Sequence, residues 1–303
     1  MTTQDELTQL IGTLVNGDSL EEQIAVGHRI QNYGDEAVEP LIALLKNPDH
    51  AHLWWLIVDA LGRIGDQRAV EPIIAMLESP LSHDPWKAML SRRYAAWALA
   101  KLKDPRAIDA LLEMFNDRLY DEEDDGEVVD EPDIENIEAA VWALTEIGDL
   151  KTLPQIIEVI FDKCCIYNVF NEWGEPAFQL LLQELRNSDD HRRSNAAHHL
   201  GEYGDHRAIE PLIHLLKNDK SNDVRDSAAY GLGCLRDPLA FDVLTEALND
   251  PYEQVRMHAA FGLLGLKDRR AIEPLKRAIE KESSYILEHL KRSLQSLEES
   301  TAE

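Results

Sequence analysis

The sequence predicts an all-α chain: an α-solenoid of about eight stacked helical hairpins. Two observations carry that prediction. The first is a recurring acidic turn that hands one apolar segment to the next, as in Gly65-Asp66-Gln67-Arg68-Ala69-Val70-Glu71-Pro72 and Gly204-Asp205-His206-Arg207-Ala208-Ile209-Glu210-Pro211. The turn aspartates are Asp35, Asp66, Asp104, Asp149, Asp205, Asp237 and Asp268, separated by 31, 38, 45, 56, 32 and 31 residues. The longest gap holds a degraded copy near Gly174-Glu175-Pro176. A period near 31 residues is that of stacked helical hairpins. The second observation is a shared register. Nine residues before each turn lie Val26, Ile57, Ala95, Ala140, Ala196, Ala228 and Ala259; five before lie Ile30, Leu61, Leu99, Leu144, Leu200, Leu232 and Leu263. At 3.6 residues per turn these two columns share one helix face, which predicts a buried seam of small and bulky residues.

Each hairpin follows one plan. In the last regular unit, Asp250-Pro251 opens a helix through Val255, Ala259, Ala260, Leu263 and Leu266. Asp268 then turns the chain into Ala271-Ile272-Glu273-Pro274-Leu275. The aspartate stands at a capping position, and the proline falls in the first turn of the second helix, where its missing N–H costs least. Twelve before the turn come Arg92, Arg193, Arg225 and Arg256, replaced by Trp54 and Ile137 in two units. These arginines are expected to join adjacent repeats through carboxylates or carbonyls. The repeat predicts one elongated domain over residues 1–303, interrupted twice: by an acidic loop at about 118–135, whose run Asp121 to Asp133 is expected to be disordered unless a cation or basic partner neutralises it, and by a degenerate repeat at about 160–190. A shorter insertion, Ser79 to Trp86, is expected to project Trp86 outward.

Val255-Arg256, Ala259-Ala260, Leu263, Asp268 and Arg270-Ala271-Ile272-Glu273-Pro274-Leu275 together resemble the HEAT-like repeat of the phycobilisome lyase class, most strongly over 191–280 and 51–115. The resemblance implies a right-handed superhelix whose second helices line the concave side. It is specific for fold and weak for function. Such repeats occur in bilin lyases, phycobilisome degradation factors, deoxyhypusine hydroxylase-like enzymes, partners of iron–sulfur assembly proteins and many binding proteins.

Thirty basic residues against fifty-seven acidic ones give a net charge of −27, which repels phosphate backbones and anionic lipid and argues against nucleic-acid and membrane partners. Neither a leader-like N-terminus nor an apolar run of membrane-spanning length is present, so a cytoplasmic location is expected. Cys164, Cys165 and Cys234 do not form a disulfide or cluster pattern; Cys234 is expected to face outward. The reversed pair Glu288-His289 and the doublet His198-His199 do not supply the His-Glu pairs of a metal hydroxylase, so no metal is expected.

Two candidate binding faces emerge. Seven before each turn stand His28, Asp59, Trp97, Trp142, His198, Tyr230 and Phe261, with Trp55 near the same side. This column points away from the buried seam, where a plain repeat would be polar. Its rings either form an association stripe or are packed by neighbouring helices. The exposed positions of the second helices read Glu71, Ala75, Glu78; Asp109, Glu113, Asn116; Glu210, His214, Lys217; Asp242, Glu246, Asn249; and Glu273, Arg277, Glu280. That face is acidic and suits a basic partner, although the leading acid of each set also favours its helix dipole. The expected function is a non-catalytic scaffold that binds another protein without a cofactor. The resemblance leaves two alternatives: a phycobilin lyase, isomerase or phycobilisome-associated factor handling a bilin, and an accessory partner in iron–sulfur cluster assembly.

Overall fold

A computed structural model describes residues 2–79, 85–120, 128–163, 169–281 and 286–300. The chain divides into two compact units, Met1–Ile166 and Tyr167–Glu303. In the first, α1 (Thr3–Asn16) precedes four hairpins: α2 (Leu20–Ile30) with α3 (Asp35–Leu45), α4 (Trp54–Ile64) with α5 (Val70–Leu77), α6 (Pro85–Leu102) with α7 (Ile108–Glu113), and α8 (Ile134–Ile147) with α9 (Leu153–Lys163). In the second, α10 (Val169–Trp173) pairs with α11 (Glu175–Glu184), α12 (Asp190–Tyr203) with α13 (Ile209–Asn218), α14 (Asn222–Leu235) with α15 (Phe241–Ala247), and α16 (Glu253–Leu266) with α17 (Ile272–Lys281). The helix α18 (Leu287–Ser300) closes that unit. The described residues thus hold the expected eight hairpins, and the degraded copy is the short α10 with α11.

The two seam columns are buried in all seven repeats that carry a turn aspartate. Ile30, Leu61, Leu99, Leu144, Leu200, Leu232 and Leu263 are fully inaccessible, and of the small column only Val26 retains any exposure. Glycines tighten the seam further. A Cβ at Gly201 would stand 2.3 Å from Gly231 Cα, and one at Gly62 would stand 2.7 Å from Ala98 Cα. These first helices therefore meet backbone to backbone.

Six turn aspartates cap as the sequence predicts. Asp66, Asp104, Asp149, Asp205, Asp237 and Asp268 each accept from the backbone N–H two residues on, at 2.8–3.0 Å, opening a 3₁₀ turn before the second helix. Asp35 differs: Gly34 occupies the cap, and Asp35 is already the first residue of α3. Where an arginine follows two residues later, it folds back on its own aspartate, and three of the four also reach an acid of the preceding repeat, Arg270 bonding Asp268. Arg106 bonds Asp104 and Glu71, Arg207 bonds Asp205 and Glu175, and Arg68 bonds Asp66, Glu39 and Asp35.

The arginines twelve before the turn make the expected inter-repeat links. Arg225 holds Asp250 through Nε and Nη2 at 2.8 and 2.9 Å and also donates to the Asp219 carbonyl. Arg193 grips Asp219 and Arg92 grips Asp117 in the same forked way, while Arg256 donates to the carbonyls of Asp250 and Pro251. Each fork ties the loop before one first helix to the loop before the next.

The acidic insertion departs from expectation. Its flanks are not a disordered loop: β1 (Arg118–Tyr120) pairs antiparallel with β2 (Val128–Pro132), Arg118 opposite Pro132 and Tyr120 opposite Val128. Leu119, Tyr120, Val128 and Val129 give these flanks strand propensity, whereas the acids concentrate between them, in residues 121–127, outside the described portion. The hairpin closes through the Asp133 N–H on the Asp117 carbonyl at 3.0 Å, and Asp133 then caps α8 through the Asn136 N–H. The side chain of Trp86, with Cys164 and Cys165, also lies outside the described portion. Among the described residues, no helix is long and apolar enough to cross a membrane.

Candidate functional site

The face opposite the seam carries rings on consecutive first helices because one register position recurs in each repeat. In the first unit, Trp97 on α6 and Trp142 on α8 are 38% and 42% exposed. Trp55 on α4 is half-buried and lies 5.4 Å from Tyr94, which meets Trp97 edge-on at 5.0 Å. His28 is exposed, and Asp59 holds Arg63 of its own helix at 2.9 Å, so the column is polar at its start.

In the second unit the rings form a continuous ladder. Phe170 contacts His199 at 4.8 Å, and His199 meets the neighbouring His198 edge-on. His198 stacks on Tyr230 at 4.5 Å with the planes only 6° apart. Tyr230 meets His258 at 5.5 Å, His258 lies 6.5 Å from Phe261, and Phe261 meets His289 at 6.0 Å. Phe261 is 42% exposed; His198, Tyr230, His258 and His289 are half-buried, so each keeps one side toward its neighbour and another toward solvent. The column is both packed and presented.

Sequence reasoning missed Tyr94, His258, His289 and Phe170. A signal existed for two of them: Tyr94 and His258 stand three residues before Trp97 and Phe261, the spacing at which helical side chains become neighbours. His289 belongs to a helix after the last turn aspartate, and Phe170 to the degraded repeat, so counting from turns could not reach either.

Polar groups flank the ladder. His258 Nδ1 lies 2.7 Å from Asp226 Oδ1, and Ser227 Oγ lies 2.8 Å from Ser194 Oγ. His199 is buried, and desolvation, reinforced by the charge of His198, pushes its imidazole down to about 4. It is therefore neutral at pH 7. Cys234 is exposed on α14, as its position predicts.

The second helices present the expected acidic positions to solvent. Glu71, Glu78, Asp109, Glu113, Glu210, His214, Asp242, Glu246, Glu273 and Glu280 are all exposed. The face is less uniformly free than its sequence reads, since Glu71 holds Arg106 at 3.0 Å and Glu246 lies 3.5 Å from Lys217. Glu71 thus has a structural duty beyond the dipole: it receives the next repeat's arginine, Arg106.

Comparison with known families matches HEAT repeats over residues 178–254 and the PBS lyase HEAT-like repeat over 55–79, 91–117 and 255–281. The chain is a HEAT-like repeat protein of the PBS lyase repeat class. No curated protein matches it. Among solved structures, this HEAT-like chain is similar to human deoxyhypusine hydroxylase in complex with glycerol, at 19% identity and TM-score 0.36 over 87% of this chain and 96% of that one. It is similar to the complex of CpcE and CpcF of phycocyanin lyase from Nostoc sp. PCC7120, at 22% identity and TM-score 0.42 over 48% of this chain and 99% of that one. An engineered protein matches at 16% identity and TM-score 0.37 over 97% and 99% of the two chains. At such identities and TM-scores none of these likenesses bears on what the HEAT-like chain does.

Proposed function

We propose that this protein is a non-catalytic scaffold that binds another protein through the ring-bearing face of its first helices, with the acidic face of its second helices favouring a basic partner. The observation that carries the reading is the exposure of Trp97, Trp142 and Phe261, 38%, 42% and 42%, at one register position of three different repeats. Large rings left in water at a repeating position cost solubility unless a partner covers them, and Trp is among the residues most enriched at the centres of protein interfaces. The net charge of −27 raises encounter rates with a cationic surface and makes that encounter salt-sensitive.

The test is affinity capture of the native protein from its own lysate at low and high salt, beside a Trp97→Ala, Trp142→Ala double variant of unchanged helicity. A stoichiometric, colourless protein that is lost with the double variant supports the scaffold. Capture that ignores the double variant overturns it. The bilin-handling alternative suggested by the PBS lyase repeats has its own signature, since a coloured phycobiliprotein or free bilin in the eluate would replace the scaffold reading with that one.

A further inference from the structure

The helices α6 and α8 pack side by side in register, with Ala95 and Leu99 of one and Ala140 and Leu144 of the other buried in the common seam. Ion pairs tie the two helices at both ends: Arg93 to Glu135 near their starts, and Lys103 to Glu146, at 2.8 Å, near their ends. Between those ties stand Trp97 and Trp142, 38% and 42% exposed, with no ring contact between them among the described residues. The ties leave one charge over at each end. Lys101, one turn after Trp97, and Glu138, one turn before Trp142, are exposed, and among the described residues neither side chain is engaged in an ion pair or hydrogen bond. The face is therefore an apolar centre with a cation on the α6 side, toward the turn, and an anion on the α8 side, toward the helix starts. Lys101 stands three residues before its turn aspartate, Asp104, and Glu138 stands eleven before Asp149. That difference of eight helical positions separates the two charges by about 12 Å along the helix axes.

This pattern selects its occupant. Helices offer no backbone partners along their flanks, so an extended segment laid over α6 and α8 would leave N–H and C=O groups unpaired against the rings; a helix satisfies its own. A helix whose two charges lie eight residues apart spans the same distance of about 12 Å, and the residue four along falls between them, over the rings. Acid first and base last is the order a helix dipole favours, and that order sets the incoming helix antiparallel to α6 and α8. We infer that the face carrying Trp97 and Trp142 receives an amphipathic helix of a partner protein, antiparallel to α6 and α8. Its acidic residue meets Lys101, its apolar side chains cover the two tryptophans, and a lysine or arginine eight residues later meets Glu138. The inference rests on the scaffold reading and gives the docked segment a form, a direction and a register.

The experiment uses the full chain and two fluorescein-labelled helical peptides of seventeen residues, built on alanine and glutamine with leucine at positions eight, nine and twelve. One carries glutamate at position five and lysine at position thirteen; the other has these two exchanged. Affinities are read by anisotropy on wild type, on a Lys101→Glu, Glu138→Lys double variant of the same net charge, and on Trp97→Ala. Wild type should bind the glutamate-first peptide about fivefold tighter, the combined effect of two exposed ion pairs. The double variant should reverse that preference, and Trp97→Ala should weaken both peptides alike. Peptide composition and protein charge are held constant, so any difference in peptide helicity cancels in the reversal. Equal affinities on wild type, no binding of either peptide, or a preference that survives the double variant would overturn the inference. So would a dimer in sedimentation equilibrium that Trp97→Ala dissociates, since it would give the face to a second copy. Should the double variant lose helicity, the wild-type preference and the loss from Trp97→Ala decide. Native-partner capture that still depends on Trp97 and Trp142, while the peptides show no preference, removes the register and leaves the scaffold; failure of both removes the scaffold too.

Discussion

Adding one methyl group at Gly201 sets two effects of opposite sign against each other. Alanine is the better helix former, by about 1 kcal/mol in a helix interior. Against that, the new Cβ would sit 2.3 Å from Gly231 Cα and 3.0 Å from its carbonyl carbon and oxygen. Carbon atoms in packed interiors rest about 3.5–4.0 Å apart, so α12 and α14 would have to part by more than an ångström. The obstacle is main chain, which cannot rotate aside as a side chain could. Overpacking typically costs about 1–3 kcal/mol, and a backbone obstacle belongs at the upper end, leaving a net loss of about 2 kcal/mol. The matched control is Gly12→Ala on α1, where an added Cβ meets nothing within 4 Å and the propensity term should act alone, stabilising by up to about 1 kcal/mol. Urea denaturation of the full chain, followed by far-ultraviolet circular dichroism, measures both midpoints under one slope. A Gly201→Ala midpoint at or above wild type would refute the backbone contact as the constraint on this seam.

Other consequences can be checked the same way. Arg225→Ala leaves the half-buried Asp250 without its fork, both side chains being 11% exposed, and should cost about 2–3 kcal/mol; Arg225→Lys should recover only part. Lys267 ends α16 in the left-handed region at φ 52°, where Gly148 and Gly204 end α8 and α12, so Lys267→Gly should stabilise by about 1 kcal/mol in a thermal melt. His199 gives a pH dependence of known sign. Its folded pKa of about 4 lies below the unfolded value near 6.5, so between these limits the unfolded chain binds the extra proton and stability falls as pH falls. The loss reaches about 3 kcal/mol at pH 4, and His199→Leu should flatten the stability profile over that window. Asp66, held down to about 2 by the Arg68 side chain and then its backbone N–H, contributes a separate acid limb, present above pH 4 and lost toward pH 2, which Asp66→Asn should remove.

How far the sequence could be read depended on whether the signal repeats. The seam was legible because Leu61, Leu99, Leu200 and their equivalents recur at a fixed distance from a turn aspartate, and a position repeated across hairpins averages out local accidents. The arginine links were legible in kind but not in detail. Residue type and register pointed Arg193 and Arg225 at adjacent repeats, yet their partners Asp219 and Asp250 lie 26 and 25 residues on, across a whole hairpin, where only stacking brings them near. Insertions gave the poorest return. The acidic run between Asp104 and Asp149 was read by its charge, while the short apolar flanks that pair as β1 and β2 are too brief to carry a periodicity.

The ring face shows why a repeat protein makes packing and recognition hard to separate by sequence. Stacking places equivalent positions of successive first helices side by side, so a ring at seven before the turn can meet the ring of the next repeat whether or not a ligand exists. His198 on Tyr230 is that kind of contact. Yet neighbours along the array can cover only the flanks of such a ring, and the side facing away from the seam stays in water wherever no loop folds over it. That is why Trp97, Trp142 and Phe261 remain about two-fifths exposed although Trp97 and Phe261 have ring contacts. Exposure at this column is thus a consequence of architecture, and what sequence chooses is the chemistry placed there. A plain solenoid would place glutamate or lysine at these positions, gaining solubility at no packing cost. Placing Trp, Tyr, Phe and His instead on α6, α8, α12, α14 and α16 costs solubility without adding to the seam, and under the proposed scaffold function a partner covering the rings would supply the compensating term.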